Sequence, residues 1–208
     1  MSGSLITFEG IEGCGKSTQL ARLAQALRAT GGRVMVSREP GGTPIGDRIR
    51  ALLLDSNANE MVATTEVLLY AAARAQHVAE VIRPALERGE IVLVDRFTDS
   101  TAAYQGAARQ LAPAVVAQLA EIATSGLVPD LTVILDLPVA VGLARVGSRG
   151  QRHDRLEQES VSFHEAVRAA YLALARAEPT RCLVIAGERD EGVIAAEILA
   201  HVLARVYT

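Results

Sequence analysis

The chain has little of what several common protein classes depend on. It contains no tryptophan, and aromatic residues make up 3% of its 208 residues, so its hydrophobic core must be built mainly from aliphatic side chains. Its net charge of −3 does not favour a protein that holds nucleic-acid backbones through counterion release. It has two cysteines, Cys14 and Cys182, so neither a disulfide framework nor a cysteine metal site is expected.

Long apolar runs are missing as well. The longest, residues 131–144, is interrupted by Asp136 and Pro138 and is too short to cross a bilayer. The first residues, Met-Ser-Gly-Ser, carry no basic segment of the kind that opens a secretory signal. Together with the scarce cysteines, these features predict a cytoplasmic protein whose partners include neither a membrane nor a nucleic acid.

Two kinds of apolar segment alternate along the chain. Short runs typical of buried strands cover residues 5–8, 34–36, 91–94, 131–137 and 182–185. Helical periodicity covers residues 16–28, 65–88, 114–124, 139–146, 157–177 and 191–206. The alternation predicts a single α/β domain over residues 1–208, with a parallel sheet and helices on both of its faces. Ligands of such sheets bind beyond the carboxyl ends of the strands.

Residues 10–17 carry the most specific single motif. Their sequence, Gly-Ile-Glu-Gly-Cys-Gly-Lys-Ser, fits the phosphate-loop pattern G-x-x-x-x-G-K-[ST] and joins the first strand to the first helix. Backbone N–H groups of such a loop surround a polyphosphate, the lysine reaches the terminal phosphates, and the serine hydroxyl binds Mg²⁺. The predicted ATP-binding residues are Gly10, Gly13, Cys14, Gly15, Lys16, Ser17 and Thr18. The motif alone leaves a kinase, a nucleotide switch and a motor as alternatives.

Asp95 and Arg96 follow directly on the third predicted strand. An acid at this position is suited to hold Mg²⁺ opposite Ser17, so Ser17 and Asp95 are the candidate metal ligands. The neighbouring arginine is unusual for a hydrolytic switch and is suited to bind a second phosphate. An acceptor that is itself a phosphate is already ionised; it needs cations that relieve repulsion between two polyanions. The residues thus favour phosphoryl transfer to a phosphate compound.

Residues 146–156 form a candidate lid between two predicted helices. The segment is rich in arginine, with Arg149, Arg152 and Arg155. A basic lid at this position could close over ATP and exclude the water that would otherwise take the phosphate.

Four stretches together resemble the thymidylate kinase family, and the match runs through nearly the whole chain. They are residues 8–18 (FEGIEGCGKST), 37–43 (SREPGGT), 95–106 (DRFTDSTAAYQG) and 154–160 (DRLEQES). Only the first is widely shared, while the combination and order of all four are specific to this family. The resemblance implies the P-loop nucleoside monophosphate kinase fold with a five-stranded parallel sheet, a homodimer, and phosphorylation of dTMP to dTDP by Mg·ATP.

The resemblance also implies residue roles around the transferring phosphate. Glu12 and Glu39 lie near the sugar and phosphate of dTMP, and Arg50 and Arg96 hold the acceptor phosphate. The variable loop positions 11–14 contain no basic residue, which resembles the bacterial type of the family, in which the lid supplies a catalytic arginine. Arg149 and Arg155 are favoured over Arg152 for that role. The predicted catalytic residues are Glu12, Lys16, Asp95, Arg96, Arg149 and Arg155.

At the other end of dTMP the resemblance implies a site for thymine. Tyr70 stacks on the base, and Arg74, one helical turn away on the same side, reads O4. Tyr104 crowds the 2′ position and so disfavours ribonucleotides. The base edge is lined by Ser100, Thr101 and Gln105. Because Thr101 stands where some relatives have asparagine, the hydrogen bond to N3 falls to Gln105 or to water.

Two alternative functions remain open at this point. A kinase for another pyrimidine monophosphate or for a deoxynucleoside is the nearer one, and the latter could use Glu39 or Glu12 as its general base. A nucleotide-gated switch or ATPase is the more distant one, and it would hydrolyse ATP without any acceptor.

Overall fold

The structure is a computed structural model, and it describes residues 3–148, 150 and 154–206. Five parallel strands form one sheet in the order β2-β3-β1-β4-β5. Their bounds are β1 (Ser4–Glu9), β2 (Val34–Arg38), β3 (Ile91–Asp95), β4 (Leu131–Asp136) and β5 (Cys182–Ala186). The three central strands are almost wholly buried, as strands covered by helices on both faces must be. The predicted five-stranded parallel α/β fold is thus confirmed.

Helices connect the strands and cover the sheet. They are α1 (Lys16–Ala29), α2 (Pro44–Leu54), α3 (Ala63–His77), α4 (Arg83–Glu87), α5 (Thr98–Thr101), α6 (Pro113–Thr124), α7 (Val139–Gly147), α8 (Val161–Ala177) and α9 (Glu191–Val206). A π-helical segment, Val78–Ile82, joins α3 to α4, and a second one, Ala102–Ala108, continues α5. Among the described residues, no helix combines the length and the apolarity that a membrane crossing requires.

The core lies on both faces of the sheet because successive side chains of a strand point to opposite faces. Ile6 and Phe8 of β1 belong to the larger apolar cluster, together with Leu93 of β3. Leu5 of β1 and Val92 of β3 belong to the smaller cluster on the other face, which α4 and the π-helical segment before it complete. The sheet is therefore held rigidly, and so are the loops at its carboxyl edge.

Three of the predicted elements differ from what the sequence analysis expected. Strand β2 was expected to be buried, but it lies at the edge of the sheet, and Val36 is 42% exposed. The helix predicted to begin at residue 157 begins at Val161, because the Ser160 side chain caps it by accepting a hydrogen bond from the N–H of Phe163. The helix predicted over residues 65–88 is continuous but contains the π-helical segment in its middle.

The phosphate loop connects β1 to α1 and packs closely against α7. A β-carbon on Gly13 would lie 2.3 Å from the carbonyl oxygen of Gly142, and Gly13 has a φ of +73°, so only glycine fits there. The neighbouring strand ends are in register, with Phe8 of β1 opposite Asp95 of β3. This register brings the loop and the Asp95-Arg96 pair to the same edge of the sheet.

Candidate active site

A cavity of about 300 Å³ opens at the carboxyl edge of the sheet. Its walls come from the phosphate loop, the end of β2 and the loop after it, α2, α3, the end of β3, and α5 with its π-helical continuation. Asp154, Leu156 and Glu157 complete them. All nine residues predicted to bind dTMP line it: Glu39, Arg50, Tyr70, Arg74, Arg96, Ser100, Thr101, Tyr104 and Gln105. The fold therefore brings residues from distant parts of the sequence into one cavity beside the phosphate loop.

Within the phosphate loop, Lys16 folds back over the backbone. Its Nζ donates hydrogen bonds to the carbonyl oxygens of Gly10 at 3.0 Å and of Ile11 at 2.9 Å. Its Nζ also lies 3.5 Å from Sγ of Cys14. The predicted loop residues that line the cavity are Gly13, Gly15, Lys16, Ser17 and Thr18. Gly10 and Cys14 do not line it, and their part in ATP binding stays a prediction.

Ser17 and Asp95 form the oxygen pair that the sequence predicts as a metal site. The Ser17 hydroxyl donates to Oδ2 of Asp95 at 2.8 Å, and both residues line the cavity. Oxygen donors of this kind suit Mg²⁺, which proteins usually hold through one or two side chains together with substrate phosphates. The described part of the chain contains no cluster of three or more histidine, cysteine or acidic residues that could enclose a metal.

Glu12 and Arg96 both line the cavity and form an ion pair. Oε1 of Glu12 accepts hydrogen bonds from Nη2 of Arg96 at 2.9 Å and from the Tyr104 hydroxyl at 2.5 Å. Its Oε2 lies 3.2 Å from Nδ1 of His164, a residue for which the sequence analysis predicted no role. Burial works to raise the pKa of Glu12, but Arg96 and the other donors outweigh it and hold that pKa at about 2. Glu12 is therefore an anion at neutral pH.

Arg96 is held on its other side by two hydroxyl groups. Its Nη1 donates to Oγ of Ser100 and to the hydroxyl of Tyr171, each at 3.2 Å. Its backbone has a φ of +72°, a conformation that costs a non-glycine residue about 1 kcal/mol or more and is found mainly at functional sites. The guanidinium Cζ also lies 4.9 Å from the centre of the Tyr104 ring. These contacts fix the guanidinium at the cavity wall.

Beneath these hydroxyls lies Glu9, the last residue of β1, which is fully buried. Its carboxylate accepts from the N–H of Phe97 at 2.7 Å, from Ser100 at 2.6 Å and from Tyr171 at 2.8 Å. Burial and the nearby charge of Asp99 raise the pKa of Glu9 to about 7. The sequence analysis assigned Glu9 no role. An acidic residue at the end of an apolar run can mark the end of the strand as well as a functional site.

At the far end of the cavity, Arg74 is fixed by three acceptors. Nε donates to Oε2 of Glu39 at 2.7 Å, Nη1 to Oγ1 of Thr101 at 2.9 Å, and Nη2 to the carbonyl oxygen of Phe97 at 2.9 Å. Oε1 of Glu39 lies 3.0 Å from Nδ1 of the fully buried His77. His77 follows Arg74 at helical i, i+3 spacing, and this is the one sequence signal that could have pointed to it.

Comparison with known proteins bears on this arrangement. A sequence model of the family described as thymidylate kinase matches residues 8–198. The chain is 58% identical to the thymidylate kinase of Geobacter sulfurreducens, over 97% of this chain and 96% of that one. It is 55% identical to the thymidylate kinase of Deinococcus radiodurans, over 98% of each.

A solved structure agrees with these sequence comparisons. The crystal structure of thymidylate kinase from Ehrlichia chaffeensis matches with a TM-score of 0.79 and 32% identity, over 97% of this chain and 99% of that one.

The chain belongs to the thymidylate kinase family. It is accordingly an ATP-dependent nucleoside monophosphate kinase with the P-loop fold.

The residues that the thymidylate kinase resemblance assigned to the substrate lie around the remaining cavity wall. Tyr70 is 9% exposed, and Arg50 donates through Nη1 to the carbonyl oxygen of Pro40 at 3.0 Å. Arg38 and Glu157 also line the cavity. The sequence analysis assigned neither of these two residues a role.

Of the three lid arginines, the structure describes only Arg155. Arg155 is 6% exposed and does not line the cavity. Its Nη2 lies 2.6 Å from Oε2 of Glu66, and its Nε donates to the carbonyl oxygen of Leu53 at 3.0 Å. In this structure Arg155 thus ties the end of the lid segment to α2 and α3 and does not face the substrate. Arg149 and Arg152 lie outside the described residues, so the role for Arg149 stays a prediction.

Proposed function

We propose that the chain transfers the γ-phosphate of ATP to the phosphate of dTMP, in the presence of Mg²⁺, to give ADP and dTDP. The observation that carries this proposal is that one cavity is lined both by the phosphate-loop Lys16 and by Arg96, the cation that follows β3. Two separate anion-binding groups facing one cavity suit a reaction between two phosphate compounds. The names of the relatives, all thymidylate kinases, support dTMP as the acceptor.

In this proposal the phosphate loop binds ATP and the arginines bind the phosphate of dTMP. The loop backbone and Lys16 bind the phosphate chain of ATP. Arg96 and Arg50 bind the phosphate of dTMP and relieve its repulsion from the incoming γ-phosphate. Glu12 is ionised and paired with Arg96, so it holds the guanidinium in place. No general base is needed, because the acceptor oxygen is already ionised at neutral pH.

Ser17 and Asp95, whose oxygens are 2.8 Å apart, would hold Mg²⁺. When bound there with ATP, the ion neutralises charge on the phosphates. Asp95 is the last residue of β3, and Ser17 lies in the first turn of α1. Both candidate ligands therefore belong to rigid elements.

The nucleoside of dTMP occupies the end of the cavity near α3. Tyr70 stacks on thymine, Arg74 donates to O4, and Gln105 takes the hydrogen bond at N3. The Tyr104 ring excludes a 2′-hydroxyl group. It is held edge-on by Phe163 and by Tyr171, at centroid distances of 6.0 and 6.4 Å.

A homodimer in the cytoplasm is part of the same proposal. Large apolar side chains remain exposed on three neighbouring helices: Ile45 and Leu52 on α2, Leu68 on α3, and Val115 and Ile122 on α6. Exposed apolar side chains on neighbouring helices support pairing with a second copy. Sedimentation should give twice the mass of the chain, which is 22.0 kDa. A monomer at micromolar concentration would contradict the homodimer.

A coupled assay for ADP release tests the reaction. It compares dTMP, dUMP, UMP, CMP and thymidine as acceptors, with an ATP-only control. We expect dTMP to give the highest kcat/KM and ATP alone to give little turnover. Preference for thymidine would mean a deoxynucleoside kinase, and turnover with ATP alone that dTMP does not increase would mean an ATPase.

A further inference from the structure

A buried acid, Glu66 on α3, has no part in the proposed phosphoryl transfer. It is 1% exposed and does not line the cavity. Two arginines surround it: Nη2 of Arg155 lies 2.6 Å and Nη2 of Arg109 lies 3.2 Å from its Oε2. A buried carboxylate needs such partners, because its desolvation is otherwise very costly.

The third partner of Glu66 is the amide of Gln105, which does line the cavity. Nε2 of Gln105 donates to Oε1 of Glu66 at 2.7 Å. An ionised carboxylate can only accept hydrogen bonds, so it must face the NH₂ end of the amide and not the carbonyl end. The orientation of the Gln105 amide is therefore decided by Glu66, and the carbonyl Oε1 is the end left for the cavity.

The surroundings of Glu66 keep it ionised. Burial works to raise its pKa, but the hydrogen bond from Gln105 and the charges of Arg109 and Arg155 outweigh burial and lower that pKa below its usual value. At neutral pH Glu66 accordingly remains an acceptor for the Gln105 amide.

On the proposed function, we infer that Glu66 is a positioning residue that sets base specificity, because it makes Gln105 present an acceptor beside the fixed donor Arg74. Thymine and uracil carry an acceptor at O4 and a donor at N3, and they match this pair. Cytosine carries a donor amino group at position 4 and an acceptor at N3, so both of its contacts are mismatched. A site whose buried polar groups are left unpaired rejects such a ligand strongly.

Arg74 cannot adapt to cytosine, because an arginine side chain has donors only and its three acceptors hold it in place. Gln105 is different, since an amide that rotates by half a turn exchanges its donor and its acceptor. Glu66 prevents this exchange. The discrimination at N3 thus depends on a residue that does not touch the base.

The experiment measures kcat/KM for dTMP, dUMP and dCMP in the wild type and in Glu66→Gln, whose amide can face Gln105 with either end. We expect the ratio of dTMP to dCMP to fall by about tenfold or more. The ratio of dTMP to dUMP should stay the same, because the two bases share the edge that is read. Arg109→Met is the matched control: it removes a charge partner of Glu66 but leaves the Gln105 contact, so it should lower stability and keep both ratios.

Glu66→Gln leaves Arg155 without its carboxylate, which can prevent folding. The double variant Glu66→Gln with Arg155→Met removes that unpaired charge, and the same ratios are measured in it. A folded variant that loses activity equally on dTMP and dCMP, or that keeps the wild-type ratio, overturns the inference. Wild-type enzyme that does not phosphorylate dTMP overturns the proposed function instead, so the two failures are distinguishable.

Discussion

Glu9 is the last residue of β1, and Glu12 follows three residues later in the phosphate loop. The pKa values of the two acids are shifted in opposite directions. Both are shielded from water: Glu9 is fully buried, and the side chain of Glu12 is 11% exposed. Burial alone raises the pKa of a carboxyl group. For Glu9 this effect prevails and its pKa is about 7, whereas the pKa of Glu12 is about 2.

The partners of the two carboxylates explain the difference. Glu12 pairs directly with the Arg96 guanidinium, at 2.9 Å. Glu9 accepts from two hydroxyls and one backbone N–H, and the negative charge of Asp99 adds to the effect of burial. One acid is therefore the counter-ion of Arg96, and the other holds the two hydroxyls to which Arg96 donates. The charge state of these two carboxyl groups is thus decided by their direct partners more than by how deeply they are buried.

The largest expected effect comes from removing Arg96, the cation that pairs with Glu12. Arg96→Met deletes the main group that lowers the pKa of Glu12 and leaves the acceptor phosphate without its guanidinium. We expect kcat for dTMP to fall about 10³-fold and KM to rise, since a well-placed arginine contributes that much to phosphoryl transfer. Steady-state kinetics with saturating ATP measure both parameters.

Arg22→Met is a control for the loss of an arginine as such. Arg22 forms an exposed ion pair with Glu191 on the surface, and such pairs contribute little to stability. It should leave both parameters unchanged. If Arg96→Met behaves like Arg22→Met, the role proposed for Arg96 is wrong.

The pH dependence of stability should distinguish the two acids next. The folded-state pKa of Glu9 is raised from 4.5 to about 7, so its contribution is present at low pH and is lost as pH rises through this window. The folded-state pKa of Glu12 is lowered from 4.5 to about 2, so its contribution is present above 4.5 and is lost as pH falls. Each shift corresponds to roughly 3 kcal/mol at most.

Urea unfolding of the wild type, Glu9→Gln and Glu12→Gln at a series of pH values measures these contributions. Relative to Glu9→Gln, the wild type should lose free energy of unfolding between pH 5 and 7. Relative to Glu12→Gln, it should lose free energy of unfolding only on the acid side, below pH 4.5. Parallel curves for the wild type and Glu9→Gln would mean that Glu9 titrates normally.

Much of the fold could be predicted from the sequence because the strands are short apolar runs and the phosphate loop fixes the order of the first elements. Helix α2 and the helical turn α5 with its continuation were not predicted. The second of these carries polar residues that line the cavity, such as Ser100, Thr101 and Gln105, and they hide the apolar periodicity on which the prediction depends. Edge and central positions in the sheet could not be distinguished either, as β2 illustrates.

Within the site, the motifs were sufficient to predict which side chains share a cavity, but not which of them pair. Arg155 lies in an arginine-rich segment, so the sequence predicted contact with ATP, whereas in the structure it is buried against Glu66. Glu9, Glu66 and His164 do not line the cavity but contact residues that do, and such contacts join positions far apart in the sequence. Glu9 and Tyr171, for example, are hydrogen-bonded across 162 positions.

The smallest expected effect concerns the Tyr104 hydroxyl, which donates a hydrogen bond to Glu12. Tyr104→Phe removes the hydrogen bond to Oε1 but keeps the ring that is proposed to exclude a 2′-hydroxyl. We expect a few-fold loss of kcat and an unchanged preference for dUMP over UMP.

Tyr104→Ala removes the ring as well, and the preference for dUMP over UMP should fall by about tenfold, because the steric conflict is gone. Kinetics of both variants with dUMP and UMP separate the two functions of one side chain. If the preference survives in Tyr104→Ala, the exclusion does not come from this ring, and the hydroxyl on Glu12 is the only part of Tyr104 that serves the reaction.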